Sequence, residues 1–360
     1  MALSEAVEFL DGRRRPVKVG TRAKMRGSIP YYGASGVVDY VNAYLFDEDL
    51  ILLGEDGENI LSRVVPLAFK ITGKSWVNNH AHVLRPRATF DIDFLTAYLE
   101  SLDYSGLNSG TAQPKLNKQS CLTIRVVKPP IAEQRRIAEV LSDAQEHIAA
   151  LERLLAKKQA VKKGLMQQLL TGRTRLPGHA EAWSIGPLKE FLPLQRGFDL
   201  PTSRVVNGPY PVVYSNGIAR HHAKAMAKGP GVVTGRSGTI GKVHFVEGDY
   251  WPHNTSLWVT SFARVDAKFA YYFLTHLGLE RFASGSGVPT FNRNDAHSFE
   301  ITVPSDRAEQ KAIADVLSAV DSAVEALRRR LAKASSIKSG MMQELLTGRT
   351  RLPVQGEDDE

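Results

Sequence analysis

The stretch GRSGTIGK, residues 235–242, has the look of a phosphate-binding loop, in which glycines let backbone amides approach phosphates and a lysine neutralises them. The spacing fails, because five residues rather than four separate Gly235 from Gly241, and Val243 follows Lys242 where Ser or Thr is needed. The segment reads instead as a tight turn between strands. PSDRAEQK, residues 304–311, offers the acids and lysine of a metal-dependent nuclease, but its counterpart PPIAEQRR, residues 129–136, has no aspartate, so both read as helix starts. His80 with His82, and His221 with His222, have no carboxylate or cysteine beside them at metal-ligand spacing. No G-x-G-x-x-G follows a strand, and no Asn/Asp-Pro-Pro-aromatic motif of amino-methyltransferases is present. No catalytic residue, metal site or cofactor is therefore predicted.

Without catalytic chemistry, binding carries the reading. Lysine and arginine number 46 against 38 acids, a net charge of +8, and the pI is near 9.4. That balance favours a polyanionic partner such as nucleic acid. Hydrophobic residues make up 43% and charged residues 23% of the 360 positions, an ordinary globular composition apart from the acidic tail GEDDE. There is no run of eighteen apolar residues and no signal-peptide core, and Cys121 is the sole cysteine. These features predict a cytoplasmic protein with no membrane association.

The elements that must position binding residues come in two copies. LLTGRTRLP occurs at residues 169–177 and again at 345–353. The same offset of 176 carries Glu133-Gln134 onto Glu309-Gln310 and IAEVL, residues 137–141, onto IADVL, residues 313–317. An offset of 175 carries Leu116-Asn117 onto Phe291-Asn292, and 181 carries Pro30, Gly36, Gly54 and Gly57 onto Pro211, Gly217, Gly235 and Gly238. A duplication of this length gives two domains rather than a solenoid. Aligning Glu8-Phe9-Leu10 with Glu190-Phe191-Leu192 puts Met1 opposite Trp183, so the first domain is expected to begin abruptly. Short β-prone runs such as DLILLGED and SLWVTSF, broken by FDIDFLTAYLESL and DAKFAYYFLTHLGLERF, predict mixed α/β (α+β) globular domains.

Each domain is followed by a helix of about forty residues, roughly 60 Å long. Ile137, Leu141, Ala144, Ile148, Leu151 and Leu155 alternate spacings of four and three, and Leu165 and Leu169 resume the register. The second copy repeats it at Ile313, Leu317, Val320, Val324, Leu327, Leu331, Met341 and Leu345. This is a coiled-coil seam, interrupted at Lys158, Lys162 and Lys338, with Val161 and Ile337 placed to carry contact across the gap. Pro130 or Asp306, with Glu133 or Glu309 three residues on, signals the starts, and Gly172 and Gly348 signal the caps. The two helices are predicted to pair with each other as an antiparallel coiled coil, with one globular domain at each end; a parallel pairing would bring both domains to one end. The expected divisions are a first domain at 1–129, a helical spacer at 130–171, a linker at 172–183, a second domain at 184–304, a second spacer at 305–347 and an acidic tail at 348–360.

A proline four or five residues before EQ-x2-I-A-x-V-L, a closing L-L-T-G-x-x-R-L, and G-x-x-P-x5-G near each start (Gly27, Pro30, Gly36; Gly208, Pro211, Gly217) together resemble the specificity subunits of type I restriction-modification systems. The resemblance spans about Leu3 to Pro353. It implies two target recognition domains, each reading half of a split double-stranded DNA sequence. It also implies helices that act as a ruler, and docking of two methyltransferase (modification) subunits together with restriction (motor-nuclease) subunits that carry the chemistry. A stand-alone repressor and a purely structural coiled-coil adaptor are the competing readings.

Phosphate contacts call for lysine and arginine, and base edges for polar side chains on loops. In the first domain Arg13, Arg14, Arg15 and Lys18 are the expected phosphate contacts, and Tyr31, Tyr32, Ser35, Asn78, Asn79, His80, Gln113 and Lys115 the expected readers. In the second, Arg196, Ser215, Asn216, Arg236, Ser237, His253, Asn254, Thr290 and Arg293 occupy comparable places. Asn79/Asn254 and Asn117/Asn292 match between halves that should read different bases, so they are expected to hold loops. Asn78 against His253, and Lys115 against Thr290, differ and are better specificity candidates. Capping does not require the repeated arginines Arg173, Arg175, Arg349 and Arg351, which are expected to dock a shared partner.

Overall fold

A computed structural model describes residues 1–110, 113–285 and 290–353; most of the acidic tail lies outside the described residues. The chain forms two compact units, one made of Met1–Glu152 with the segment from Arg330 onward, the other of Arg153–Arg329.

In the first unit, an antiparallel sheet runs in the order Val7–Phe9, Ala81–Pro86, Leu50–Gly54, Ala68–Ile71. Its central strand LILLG is buried along its whole length, as a strand covered on both faces requires. A second sheet, ordered Gly36–Val41, Arg26–Gly33, Lys74–Val77, Phe46–Asp47, contains a parallel pairing of Tyr31 with Trp76. Helix Ile92–Ser101 packs on the first sheet, started by Asp91, whose carboxylate accepts from the Asp93 and Phe94 amides.

The second unit repeats this plan. Its main sheet is Leu194–Arg196, Ser256–Val259, Gly231–Gly235, Val243–Val246, and its smaller one Gly217–His222, Tyr210–Tyr214, Trp251–Pro252, with Val212 parallel to Trp251. Asp266 starts helix Ala267–Leu277 as Asp91 starts its counterpart. The second copy also has a strand, Trp183–Pro187, paired with Glu300–Pro304, where the first has a single bridge between Ala2 and Arg125. Leu3 donates its amide to Ile124 and Leu188 donates to Phe299, so the short helices Leu3–Ala6 and Leu188–Phe191 correspond. The backbone therefore aligns Met1 with Gly186 and not with Trp183. Identical letters in an E-F-L triplet misled the sequence alignment by three residues.

The long helices are Ile131–Leu169 and Arg307–Leu345, 39 residues each. Each lends its first part to one unit and its last part to the other. In the first unit Ile137 and Leu141 share a core with Leu345 and Leu346. In the second, Ile313, Ala314 and Leu317 share one with Leu169 and Leu170. Starts pack on ends, so the pairing within each unit is antiparallel. A seam leucine or isoleucine buried in this way contributes about 1.5–3 kcal/mol.

The polar gap in the seam is closed by side-chain pairing. Lys162 reaches Asp321 at 2.6 Å in the second unit, and Lys338 donates to Gln145 at 2.6 Å in the first. Val161 and Ile337 do not carry this contact; they are 44% and 52% exposed. Seven residues beyond Leu155, position 162 returns to within about 20° of the seam at 100° per residue, whereas position 161 points well away.

The buried EQ pairs organise both helix starts. Glu133 and Gln134 are 2% and 0% exposed, and Glu309 and Gln310 are fully buried. Gln134 donates to the Pro129 and Thr89 carbonyls and accepts from the Asp91 amide. Gln310 repeats this with Pro304, Arg264 and Asp266. Each glutamine thus ties its long helix to the start of the domain helix beside it. Each glutamate takes an arginine of the other repeat as its partner. Glu133 accepts two bonds of 2.6 Å from Arg351, and Glu309 accepts from Arg175 through Nε and, at 2.7 Å, through Nη2. The expected glycine caps are present, with Gly172 at φ +70° and Gly348 at +73°.

Glu309→Gln is expected to destabilise the full chain by about 3 kcal/mol in urea unfolding, because one forked partner of Arg175 loses its charge inside a core. Arg175→Lys should cost less, since a single ammonium bond survives. Unchanged midpoints in both variants would remove the pair from the account of the fold.

Candidate nucleic-acid interface

Two backbone junctions, one per unit, bring together several of the expected readers, among them His80 with Lys115 in one, and Arg236 and Ser237 with Thr290 in the other. In the first, the chain leaves buried strand Leu50–Gly54 at Glu55 and Asp56. The Glu55 amide donates to His80 at 2.9 Å, the Leu116 amide donates to Glu55 at 2.7 Å, and Asp56 bridges Lys115. The second unit repeats each link: Arg236 to Thr255 at 2.9 Å, Phe291 to Arg236 at 2.8 Å, and a bridge from Ser237 to Thr290. The glycines that precede these junctions admit no side chain. A Cβ on Gly235 would lie 1.7 Å from the Thr239 oxygen, and one on Gly54 would lie 2.9 Å from that of Ala34. GRSGTIGK is accordingly a strand-to-strand connection with Gly238 and Gly241 at positive φ. No helix follows it to complete a phosphate loop.

The first junction sits on a buried charged network. His82, 1% exposed, is bonded at 2.8 Å through Nδ1 to the Asp11 carboxylate and at 2.8 Å through Nε2 to the Leu116 carbonyl. Both partners only accept, so both ring nitrogens carry protons and the ring is an imidazolium. Burial opposes that charge, but the hydrogen bond to Asp11 and the nearby Cys121 outweigh it, and the pKa is pushed up to about 10. Burial would raise the Asp11 pKa, yet the bonds from His82 and the Val83 amide hold it below the usual carboxylate range. Arg14 donates to Glu55 at 2.7 Å and to the Ala81 carbonyl at 2.7 Å. In the second unit the register position of His82 is held by Leu257, an apolar replacement of the network.

Several of the expected contacts are engaged within the unit. Arg14, with 14% of its side chain exposed, is held by Glu55 and the Ala81 carbonyl. Tyr31 is 1% exposed, with its hydroxyl accepting from the Val17 amide. Asn78 is 7% exposed and uses its carbonyl oxygen on the His80 amide, so it supports a loop. Arg13 donates to the Leu45 carbonyl and pairs with Glu48. Tyr32 is half-buried, while Arg15, Lys18, Ser35, Asn79, His80, Gln113 and Lys115 are exposed. His80 pairs with Asp56 at 2.8 Å and Lys115 with Glu55 at 3.4 Å. The carboxylates missing from the sequence near His80 and His82 are thus supplied by distant segments. The described residues nevertheless hold no group of three metal-ligating side chains.

In the second unit Arg196, Arg236, Thr290 and Arg293 line one cleft of about 410 Å³. Asn254 donates to Asp199, which also pairs with Arg196 at 3.1 Å. The His253 and Tyr214 rings lie with centroids 4.2 Å apart at a 37° tilt. Ser215 and Asn216 form the turn of the smaller sheet's hairpin, as Ser35 does in the first unit. Asn117 and Asn292 cap the short helices that follow them, as expected of loop-holding residues. Sequence reasoning missed Glu55 and Asp56. The offset of 181 that aligns Gly54 with Gly235 also sets these acids opposite Arg236 and Ser237, and that was the available signal. Of the four helix-end arginines, Arg175 and Arg351 are engaged by Glu309 and Glu133, though the Arg351 side chain stays 63% exposed; Arg173 is exposed, and Arg349, also exposed, lies 3.9 Å from Glu344.

Two copies of one α/β domain, with polar junction loops that differ in charge, define a duplicated binding protein. The family model for the type I restriction modification DNA specificity domain matches residues 1–163 and again 180–335. The chain belongs to this family and carries its domain twice. It is 32% identical over 139 residues to a putative type I restriction enzyme specificity subunit, S.HindORF215P of Haemophilus influenzae, a match covering 39% of this chain and 35% of that one. It is 23% identical to the type I restriction enzyme MjaVIII specificity subunit of Methanocaldococcus jannaschii, over 97% of this chain and 92% of the relative. Its fold is similar to the S subunit of a type I restriction-modification system from M. genitalium, with a TM-score of 0.68, 13% identity and coverage of 96% and 95%. A chain solved in work on assembly and conformational transition of the type I R-M system gives a TM-score of 0.57 at 16% identity, with 96% of each chain covered.

Since the His82 pKa is raised on folding, its contribution to stability is complete below pH about 6.5, where the free imidazole titrates, and fades as pH rises towards about 10. Urea unfolding of the full chain should show this decline, and His82→Leu should flatten it. An equal slope in the variant would assign the decline to other groups.

Proposed function

We propose that the chain is the DNA-specificity subunit of a type I restriction-modification complex. Residues 1–129 and 184–304 are its target recognition domains, and together they select a bipartite double-stranded target. The observation that carries this reading is the duplicated junction, which has the same backbone bonds in both units but Glu55-Asp56 in one and Arg236-Ser237 in the other. A scaffold repeated with unlike loop side chains suits two half-sites of unlike sequence.

The chain itself is non-catalytic. Methyl transfer to adenine and ATP-dependent cleavage belong to partner modification and restriction subunits, and the assembly works in the cytoplasm. Among the described residues no helix is long and apolar enough to cross a membrane. Two methyltransferase subunits dock on the repeated helix ends, which present Arg173 and Arg349 on matching caps. The gap between half-sites follows the length of the two 39-residue helices, each about 58 Å at about 1.5 Å per residue.

Base-resolution mapping of adenine methylation, in cells that express the chain with the methyltransferase of its own genome, should reveal a split motif with one fixed gap that disappears without the chain. Absence of any motif despite a stable complex with the methyltransferase would refute the targeting role, and absence of the complex as well would favour a stand-alone binder. Removing seven residues from each long helix is expected to shorten the gap or abolish recognition. An unchanged gap would defeat the ruler reading.

A further inference from the structure

We infer that Arg236 is a specificity-determining residue of the second domain and reads the edge of a guanine. The inference rests on the recognition role proposed above and adds to it a residue, a base and a half-site.

Glu55 and Arg236 occupy one backbone position. Each donates its amide to the partner loop, to His80 or Thr255, and each accepts from the amide of the following segment, Leu116 or Phe291. Their neighbours Asp56 and Ser237 make matching bridges to Lys115 and Thr290. On this common frame the side chains are opposite in charge. The Glu55 carboxylate is consumed internally, 2.7 Å from Arg14 and 3.4 Å from Lys115, with 13% of its side chain exposed. The Arg236 guanidinium faces the cleft it shares with Arg196, Thr290 and Arg293. Its Nη1 donates to the Asn254 carbonyl at 3.2 Å, and the described residues give it no carboxylate partner.

This single bond steadies the side chain while leaving further N–H donors for a ligand. A guanidinium fork fits the O6 and N7 acceptors of guanine. A phosphate is the other acceptor the cleft could meet. The phosphate backbone is the same for every sequence, however, so both domains should keep a backbone contact, whereas a base contact must differ between unlike half-sites. Reversal of charge on an otherwise repeated junction is therefore the mark of readout. Arg236 also leaves directly from Gly231–Gly235, a strand buried along its length, which gives it the rigid base that discrimination needs.

The test is methylation mapping of the full chain with its methyltransferase, comparing the unaltered chain with Arg236→Ala and Arg236→Lys. Both variants should relax one fixed G·C position in one half-site, with about a ten- to hundredfold loss of discrimination there, while the other half-site and the gap persist and report an intact fold. Arg236→Lys keeps the charge but not the fork, so it separates base reading from simple attraction. An unchanged motif, with weaker methylation at every site and a salt dependence of binding reduced by about one charge, would assign Arg236 to phosphate and overturn the inference. A motif from the unaltered chain with no fixed G·C pair in either half-site would overturn it without any variant. No motif at all from that chain would overturn the recognition role instead, together with what is built on it.

Discussion

A glutamate with almost no exposed surface needs a cation, and in each unit that cation comes from the other repeat. Glu133 belongs to the first copy of the duplicated sequence and Arg351 to the second, while Arg175 belongs to the first and Glu309 to the second. Neither repeat can therefore complete its own unit. The exchange fixes which helix end meets which helix start, and the packing of Leu345 and Leu346 on Ile137, or of Leu169 on Ile313, follows from it. The repeated ending thus has a physical cause inside the chain. Its leucines enter a core, its glycine turns the backbone, and its second arginine neutralises a buried carboxylate.

The neighbouring glutamine extends this order outward. Its side-chain amide bonds the chain segment before the long helix and the start of the domain helix, so the helix is held to the domain by polar bonds with defined geometry. In the same domains, two matching main-chain hydrogen bonds hold the junctions at Glu55 and Arg236. Above these bonds the two units diverge. The first fills the space with His82, Asp11, Arg14 and Glu55 as a compensated ionic network, whereas the second places Leu257 at the His82 register position and leaves an arginine-lined cleft. A shared frame with unlike side chains allows one domain plan to bind two different surfaces.

Much of the architecture is legible in the amino-acid sequence because its signals are local or periodic. The duplicated ending, the seam spacing and the glycine caps need only 3.6 residues per turn and the left-handed freedom of glycine. Chemistry that depends on distant segments is not legible. His80 and His82 lack a carboxylate within reach along the chain, yet Asp56 and Asp11 stand 2.8 Å from them. Tyr31, Asn78 and Arg14 have the residue types of DNA contacts, and the fold buries each of them or engages it with a neighbour that the residue type alone does not reveal.

The sequence alone determines that there are two like domains, two long helices and no recognisable catalytic motif, since repetition and spacing survive without coordinates. Tertiary structure decides the rest: that Arg175 and Arg351 serve buried glutamates, that Lys162 and Lys338 bridge the seam, and that Arg236 lines a cleft while Glu55 is engaged by Arg14 and Lys115. The reason is that a charged side chain takes its role from what surrounds it in space, and the groups around these residues lie tens to hundreds of positions away in the chain.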